Sequence, residues 1–245
     1  MVYILKMKVD TTLLSSVLNK IAIWSNDQIG RYICVSNVHM CMEVFDSEHY
    51  QKVVNSSDLT IPDGKPLVWA QRLLKCPDTE QIRGYDLTMS VCELAANNNL
   101  SIGLYGSSDS VLLDFRRNLL KLFPNLNIVY SFSPPFRSLT QVEDEKYVGD
   151  INRSGAQIML IGLGCPKQEL WMAEHKDRLS CTMLGVGAVF DFIAGKKRHA
   201  PRWMQSIGFE WLFRLISEPT RLWKRYLKHN PRFVFYFFFQ LFRQK

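Results

Sequence analysis

Short apolar runs alternate with longer helical patterns along most of this chain, and this alternation limits the folds that it can adopt. The clearest run covers residues 156–162 and is almost wholly apolar, as expected for a strand that is covered on both faces. Strands of about six residues that alternate with helices of about 10–15 residues are typical of a parallel sheet. The sequence therefore predicts an α/β fold with a doubly wound, mostly parallel, Rossmann-like sheet.

The same pattern sets approximate bounds for the elements. Predicted strands cover residues 31–36, 59–61, 101–105, 126–132, 156–162 and 181–186. Predicted helices cover residues 11–24, 40–56, 65–74, 140–152 and 167–177, with two more that end near residues 97 and 123. Thr11 and Thr12 are expected to cap the first helix. Near the C-terminus, Pro201, Pro219 and Pro231 divide three further helical pieces.

The last fifth of the chain differs in charge from the rest. Residues 196–245 contain 12 Lys/Arg and 2 Asp/Glu, a net charge of +10, whereas residues 1–195 carry −3. This part is also rich in aromatic side chains. We therefore expect an α/β domain over residues 1–198 and a basic, aromatic helical appendage over residues 199–245. Such an appendage is typical of proteins that bind a nucleic acid, an acidic partner or an anionic membrane.

The end of the appendage favours a membrane surface. Residues 231–242 contain nine large apolar side chains in twelve positions. Twelve helical residues rise about 18 Å, short of a hydrocarbon core of about 30 Å, so an interfacial helix is expected. The alternative is that these aromatics pack on the domain or in an oligomer. Nucleic acid is not an expected partner, because contiguous aromatics suit lipid anchors better than spaced stacking platforms. Deletion of residues 231–245 is expected to leave a folded protein that no longer binds liposomes.

The cysteines and the N-terminus indicate a cytoplasmic protein. Six cysteines are scattered without a C-x-x-C pair, so reduced thiols are expected. Lys6 and Lys8 stand where a signal peptide has its apolar core. The five histidines are dispersed, and no Asp-x-Asp pair is present to hold a cation against a diphosphate. We therefore expect no metal and no other cofactor.

Asp63 lies at a predicted junction between a strand and a helix. The strand stops at Pro62, and a helical pattern begins after Pro66. In open α/β sheets, ligands bind at this end of the strands. A carboxylate there can serve as a general base, a cation ligand or a helix cap. The residues alone favour the cap, because Asp beside Gly and Pro is common in turns.

Other candidates lie at the ends of strands or the beginnings of helices. Gly106 and Gly164 belong to strand-end loops in which backbone N–H groups can approach a phosphate. Arg83 either meets a diphosphate or forms a surface ion pair. Gln168 opens a helix with an amide that can bind a ligand, whereas the neighbouring Glu169 only complements the helix dipole. Asp191 is a second candidate carboxylate, or it orders its own turn.

Several motifs occur together in an order that is specific to one family. They are Ile61-Pro62-Asp63-Gly64-Lys65-Pro66, Arg83-Gly84-Tyr85-Asp86-Leu87, Gly162-Leu163-Gly164-Cys165-Pro166-Lys167-Gln168-Glu169, Gly185-Val186-Gly187-Ala188-Val189-Phe190-Asp191 and Glu210-Trp211-Leu212-Phe213-Arg214-Leu215. In these motifs the chain resembles the WecG/TagA/CpsF glycosyltransferases, glycosyltransferase family 26, over about residues 30–228.

The resemblance implies a metal-independent, inverting transfer of a sugar from a UDP-sugar to a polyprenyl-diphosphate-linked saccharide. The sugar is N-acetylmannosamine, its uronic acid or glucose, and the product serves bacterial cell-surface polysaccharide synthesis. The resemblance also implies peripheral attachment to the inner face of the plasma membrane. A non-catalytic scaffold that only binds the lipid carrier is an alternative, and a homo-oligomer is left open.

The resemblance also assigns roles to individual residues. Asp63 is expected to be the catalytic base, and Gln168 is expected near the donor. Ser36 and Asn37, at the end of the preceding strand, are expected to line the site. The cations expected to meet the lipid diphosphate are Arg214, Arg221 and Arg225.

Overall fold

An N-terminal hairpin precedes a parallel sheet in the computed structural model, which describes residues 1–243. The hairpin consists of β1 (Val2–Ile4) and β2 (Met7–Val9) and was not predicted. The sheet strands are β3 (Arg31–Ser36), β4 (Leu59–Pro62), β5 (Ser101–Gly106), β6 (Asn127–Phe132), β7 (Ile158–Gly162) and β8 (Thr182–Gly185). All six are parallel and hydrogen-bonded in the order β4-β3-β8-β7-β5-β6. The predicted strands are therefore confirmed to within two residues at each end.

Helices cover both faces of this sheet. They are α1 (Leu14–Trp24), α2 (Val38–Asp46), α3 (Glu48–Asn55), α4 (Lys65–Leu73), α5 (Gly84–Asn98), α6 (Asp109–Leu122), α7 (Gln141–Ser154), α8 (Lys167–His175), α9 (Val189–Ile193), α10 (Arg202–Ser206), α11 (Glu210–Ser217) and α12 (Pro219–Arg243). Successive side chains of a strand enter opposite layers: Ile33 and Val35 pack with α1 and α5, whereas Tyr32 and Cys34 pack with α2 and α8. The doubly wound α/β fold predicted from the sequence is confirmed.

Two local predictions were wrong. The helix expected over residues 40–56 is broken at Ser47, whose extended backbone ends α2 and whose hydroxyl accepts a hydrogen bond from Tyr50 N. Thr11 and Thr12 do not cap α1, because Leu13 occupies the cap position. Instead, the carboxylate of Glu80 accepts a hydrogen bond from Leu14 N. The first turn of α1 is therefore capped by a side chain that is distant in the sequence, and not by the two adjacent threonines.

The last helix runs through the proline that was expected to interrupt it. α12 continues past Pro231, and its inner face carries Phe233 and Phe237, which are buried in the layer that contains α2. Arg232 forms an ion pair with Asp46 (2.5 Å). At the far end of α12, the Gln240 side chain bonds Leu5 N and Tyr3 O of the hairpin. This docking offsets the hydrogen bond that a proline removes from a helix.

The aromatic segment therefore has two faces. Phe235, Phe238, Phe239 and Phe242 are all more than half exposed, whereas Phe233 and Phe237 are buried. The alternative that these aromatics pack on the domain therefore holds for the inner face alone. Within residues 1–243, no helix combines the length and the apolarity needed to cross a bilayer. Lys245, one of the cations of this segment, lies outside the described residues. The division into residues 1–198 and 199–245 stays a prediction.

Substitution of Phe233 by alanine tests the docking of α12. Phe233 is 4% exposed and Phe235 is 57% exposed. We expect Phe233→Ala to lower the free energy of unfolding by about 3 kcal/mol, because it leaves a cavity in a packed layer. Phe235→Ala is the matched control and should stay within about 0.5 kcal/mol of the parent protein. Denaturant unfolding measures both, and equal losses would contradict the assignment of the two faces.

Candidate active site

A cleft of about 1190 Å³ opens at the carboxyl ends of the sheet strands. It exceeds the roughly 300–1,000 Å³ that is common for one small ligand, so it has room for two substrates. Its wall combines strand-end loops with residues of α10, α11 and α12. The residues predicted from the sequence that line it are Asn37, Asp63, Arg83, Gly164, Gln168, Arg214, Arg221 and Arg225.

Asp63 is held rigidly where β4 ends. Its backbone N–H donates to Ser36 O (2.8 Å), and its carbonyl accepts from the Gln81 side chain (2.7 Å). One carboxylate oxygen, Oδ1, accepts a hydrogen bond from Gly84 N at the start of α5 (2.9 Å). The carboxyl group therefore caps α5 and not α4, the helix that follows it directly and that the residues alone favoured; α4 has Gly64 at its cap position and no side-chain cap. The carboxyl group also keeps part of its surface open to the cleft.

The surroundings of Asp63 raise its pKa to about 6. Burial is the largest cause, and the negative charge of Glu210 is the second. The Gly84 hydrogen bond, Arg214 and Arg83 act in the opposite direction but do not cancel these effects. A carboxylate with a pKa near 6 is a stronger base than an ordinary aspartate and is still ionised at neutral pH, which suits a general base.

A buried chain of hydrogen bonds fixes Gln168. Its Oε1 accepts from Gly164 N (3.1 Å), and its Nε2 donates to Glu169 Oε1 (2.7 Å). The other oxygen of Glu169 accepts from the Tyr50 hydroxyl (2.9 Å). Glu169 is fully buried, and burial raises its pKa. Glu169 lies in the first turn of α8 as predicted, but its interpretation as a simple partner of the helix dipole was incomplete, because it also orients the amide beside it.

Glycine at position 185 makes room for that amide. A Cβ atom built there would lie 2.9 Å from Gln168 Nε2 and 2.8 Å from a methyl group of Met172. Both distances are shorter than real contacts of a Cβ atom, so any side chain at this position would displace Gln168. The packing of Gln168 therefore requires a glycine at position 185, at the end of β8, in addition to any role of this residue in the strand-end loop.

Two arginines of the appendage, Arg214 and Arg225, line the cleft, and each has an Nε donor that is unpaired within the described part of the chain. The Nε atoms of Arg214 and Arg225 are buried and have no hydrogen-bond partner among residues 1–243. Arg221 differs, because it pairs with Glu218 (2.7 Å). Buried donors without partners are rare in folded proteins. The two side chains therefore bring guanidinium charges to the wall of the cleft, where an anion can bind them.

Arg83 links the domain to the appendage. Its Nε donates to Asp86 (2.6 Å), and its guanidinium also donates to the side-chain oxygen of Gln205 on α10. Arg83 thus forms an ion pair, which is one of the two roles predicted from the sequence. It also lines the cleft.

Three predicted residues are not among the described residues that line the cleft. Ser36 is fully buried, and its hydroxyl donates to Ile61 O (2.7 Å). Gly106 has a φ of +119°, and a Cβ atom there would lie 2.6 Å from the backbone of Gly162. Asp191 pairs with Lys197 (2.8 Å). These contacts explain why a serine, a glycine and an aspartate occupy positions 36, 106 and 191. The roles of the three residues in substrate binding stay predictions.

The sequence profile of the glycosyl transferase WecG/TagA/CpsF family matches residues 2–245. The chain belongs to this family. An enzyme of Bacillus spizizenii named N-acetylglucosaminyldiphosphoundecaprenol N-acetyl-beta-D-mannosaminyltransferase is 27% identical over 228 residues, which cover 92% of this chain and 86% of the relative. An enzyme of the same name from Staphylococcus aureus is 26% identical over 230 residues, which cover 92% and 87%.

One site residue of this WecG/TagA/CpsF family member had no role in the sequence analysis. Glu210 belongs to a motif that carries the resemblance, but its place beside Asp63 depends on how α11 folds back over the strand ends. No local sequence pattern predicts that α11 folds back over the strand ends. The approach of His39 on α2 to His229 on α12 (ring centroids 5.1 Å apart) was missed for the same reason.

Proposed function

We propose that this chain transfers an N-acetylmannosaminyl group from its UDP derivative to a polyprenyl-diphosphate-linked N-acetylglucosamine, with inversion. The observation that carries the proposal is that a base-like carboxyl, Asp63, shares one cleft with Arg214 and Arg225, whose Nε atoms have no hydrogen-bond partner among residues 1–243. The names of the two relatives favour N-acetylmannosamine over its uronic acid or glucose. The UDP part follows from the resemblance.

In this reaction, Asp63 removes the proton of an acceptor hydroxyl group. The hydroxyl oxygen attacks C1 of the donor sugar while the bond from C1 to the UDP oxygen breaks on the opposite face, so the configuration inverts. The electron pair leaves with UDP. The start of α8, after the loop that contains Gly164, provides N–H groups for the charge on the leaving diphosphate.

Arg214 and Arg225 are proposed to bind the diphosphate of the acceptor. A guanidinium group suits this role because its planar donors match phosphate oxygens and because it stays charged when buried. Both arginines belong to the helices that carry the exposed aromatic side chains. In this proposal, α11 and α12 therefore contact both the diphosphate of the acceptor and the membrane.

A product assay tests the proposal. UDP-N-acetylmannosamine, UDP-N-acetylmannosaminuronic acid, UDP-glucose and UDP-N-acetylglucosamine are each incubated with a synthetic lipid-diphosphate-linked N-acetylglucosamine. Disaccharide formation and UDP release are both measured. We expect disaccharide from UDP-N-acetylmannosamine in preference to the other donors. UDP release without disaccharide, or no reaction with any donor, would contradict the proposal and favour the lipid-binding scaffold.

Transfer is expected to persist in excess EDTA. The reason is that the sequence has no Asp-x-Asp pair to hold a cation against the leaving diphosphate, and the cleft instead has arginines. Initial rates with and without chelator should agree within about two-fold, far less than the loss of a group that stabilises the transition-state charge would cause. Complete loss of activity that Mg²⁺ or Mn²⁺ restores would show that a metal stabilises the leaving group.

A further inference from the structure

Two histidines and a glutamate meet where α12 crosses α2. His39 and Glu43 lie one turn apart on α2, and His229 belongs to α12. Glu43 Oε1 is 3.5 Å from His39 Nε2 and 3.5 Å from His229 Nε2. One ligand atom from each of the three residues lies within 4.8 Å of the others. The two histidines are far apart in the sequence, but the fold brings them together.

The distances from Glu43 to the two histidines fit a metal ion better than a hydrogen-bonded network. Zn²⁺ binds imidazole nitrogen and carboxylate oxygen at about 2.0–2.2 Å, so two ligand atoms on a tetrahedral ion lie about 3.4 Å apart. The two 3.5 Å separations are close to that value. By contrast, they are long for a hydrogen bond, for which about 2.7–3.2 Å is usual.

His229 provides a second, independent observation. Its side chain is only 4% exposed, and its Nδ1 has no hydrogen-bond partner in the described part of the chain. Burial of an imidazole with an unsatisfied nitrogen is unfavourable, and such groups in folded proteins usually have a specific reason. Coordination of a cation at Nε2, the nitrogen that faces Glu43, would give this buried ring the polar partner that residues 1–243 do not provide at Nδ1.

We propose that His39, Glu43 and His229 bind a divalent cation of the zinc class, which fastens α12 to α2. Two histidines and one glutamate form a three-ligand set that leaves the fourth position of a tetrahedral ion open. His39 lines the cleft, and the Glu43 side chain is 30% exposed, so water can fill that position. The base, Asp63, is not a member of this set, and the ion has a structural role.

The charges around the cluster make this binding reversible. Glu43 provides one negative charge, and Arg225 and Lys228 act on His39 with positive charge. Asp46, the next carboxylate on α2, is already paired with Arg232. The ion is therefore not needed for folding: Arg232, Phe233 and Gln240 hold α12 without it. Transfer in EDTA and a metal site on the same chain are thus compatible.

Cobalt binding tests the proposal without any measurement of activity. The full chain is freed of metal by chelation and dialysis, and then titrated with Co²⁺, whose visible absorption is strong only in tetrahedral or five-coordinate sites. We expect one equivalent to produce this absorption and Zn²⁺ to displace it. Zn²⁺ should also raise the midpoint of thermal unfolding by a few degrees, because it binds only the folded state.

Three variants assign the site. His229→Gln and Glu43→Gln should each abolish the cobalt absorption and the zinc-dependent thermal shift. His49→Gln changes an exposed histidine on α3 and is the matched control, so it should retain both signals. Circular dichroism checks each fold, and Glu43→Gln serves where His229→Gln is unstable, because Glu43 is partly exposed. Absence of cobalt absorption in the parent protein, or equal signals in all variants, would overturn the proposal.

Discussion

Asp63→Asn is expected to lower the turnover number by about 10²–10⁴-fold, the usual contribution of a general base. The amide has nearly the same shape as the carboxyl group, and its oxygen can still accept the hydrogen bond from Gly84 N that caps α5. The fold should therefore persist, and so should the binding of UDP. Product formation with a saturating donor measures the turnover number, and calorimetry with UDP measures the retained binding.

Asp114→Asn is the control for this experiment. Asp114 forms ion pairs with Arg117 (2.7 Å) and Lys196 (2.8 Å) on the surface and does not line the cleft. It should keep the parent activity, because surface ion pairs contribute little to stability. If Asp63→Asn retains more than about a tenth of the parent turnover, a loss well below that range, Asp63 is not the base.

The dependence of kcat/KM on pH is an independent test of Asp63 as the base. Burial first, and Glu210 second, raise the pKa of Asp63 to about 6. The base must be ionised, so kcat/KM should fall as the pH drops through about 6. Glu210→Gln removes a neighbouring negative charge, so it should lower the pKa of Asp63 and move this limb to lower pH. A limb that stays in place in Glu210→Gln would indicate that another group is responsible.

The sheet could be predicted because each strand is specified locally. β3 was predicted over its observed residues 31–36, since an apolar run between turn residues needs no information from elsewhere in the chain. Asp63 could be placed for a similar reason, because the end of a parallel strand is also the edge where ligands bind. What the local pattern left open was whether the carboxyl caps a helix or acts as a base. The geometry permits both.

The errors share one physical cause, which is contact between distant segments. Pro231 ends a helix in isolation, but here the docking of Phe233 and Phe237 on the α2 layer keeps α12 continuous. Glu169 has an ordinary place in a first helical turn, but Tyr50 from α3 makes it the centre of a buried network. Glu210 comes from α11, which returns over the strand ends. None of these partners is close enough in the sequence to be predicted from a local pattern.

Removal of the exposed phenylalanine face of α12 is expected to abolish liposome binding. Phe235, Phe238, Phe239 and Phe242 recur at the spacing of one helix face and are between 51% and 59% exposed. Apolar patches of this kind mark interaction surfaces. Three cations of α12, Lys224, Lys228 and Arg243, favour an anionic membrane over a neutral partner. A lipid-linked acceptor stays in the membrane, so the cleft must approach it there.

The experiment replaces these four residues by serine together. Burial of one phenylalanine contributes about 1.5–3 kcal/mol, so partitioning onto anionic liposomes should fall by at least about 100-fold even if insertion is partial. Activity on a long-chain acceptor in liposomes should fall with it, whereas activity on a water-soluble short-chain analogue should persist. The substitutions are preferable to deletion of residues 231–245, because deletion also removes Phe233 and Phe237, which are buried in the layer that contains α2.

Phe136→Ser is the matched control for the loss of an exposed aromatic residue. Phe136 is 89% exposed and does not belong to α12, so this variant should partition like the parent protein. Analytical ultracentrifugation of the parent and the fourfold variant separates the membrane from an oligomer as the occupant of the face. Unchanged liposome binding would contradict a membrane role. A parent oligomer that the substitutions dissociate, without any change on liposomes, would show that the phenylalanine face binds a second copy of this chain.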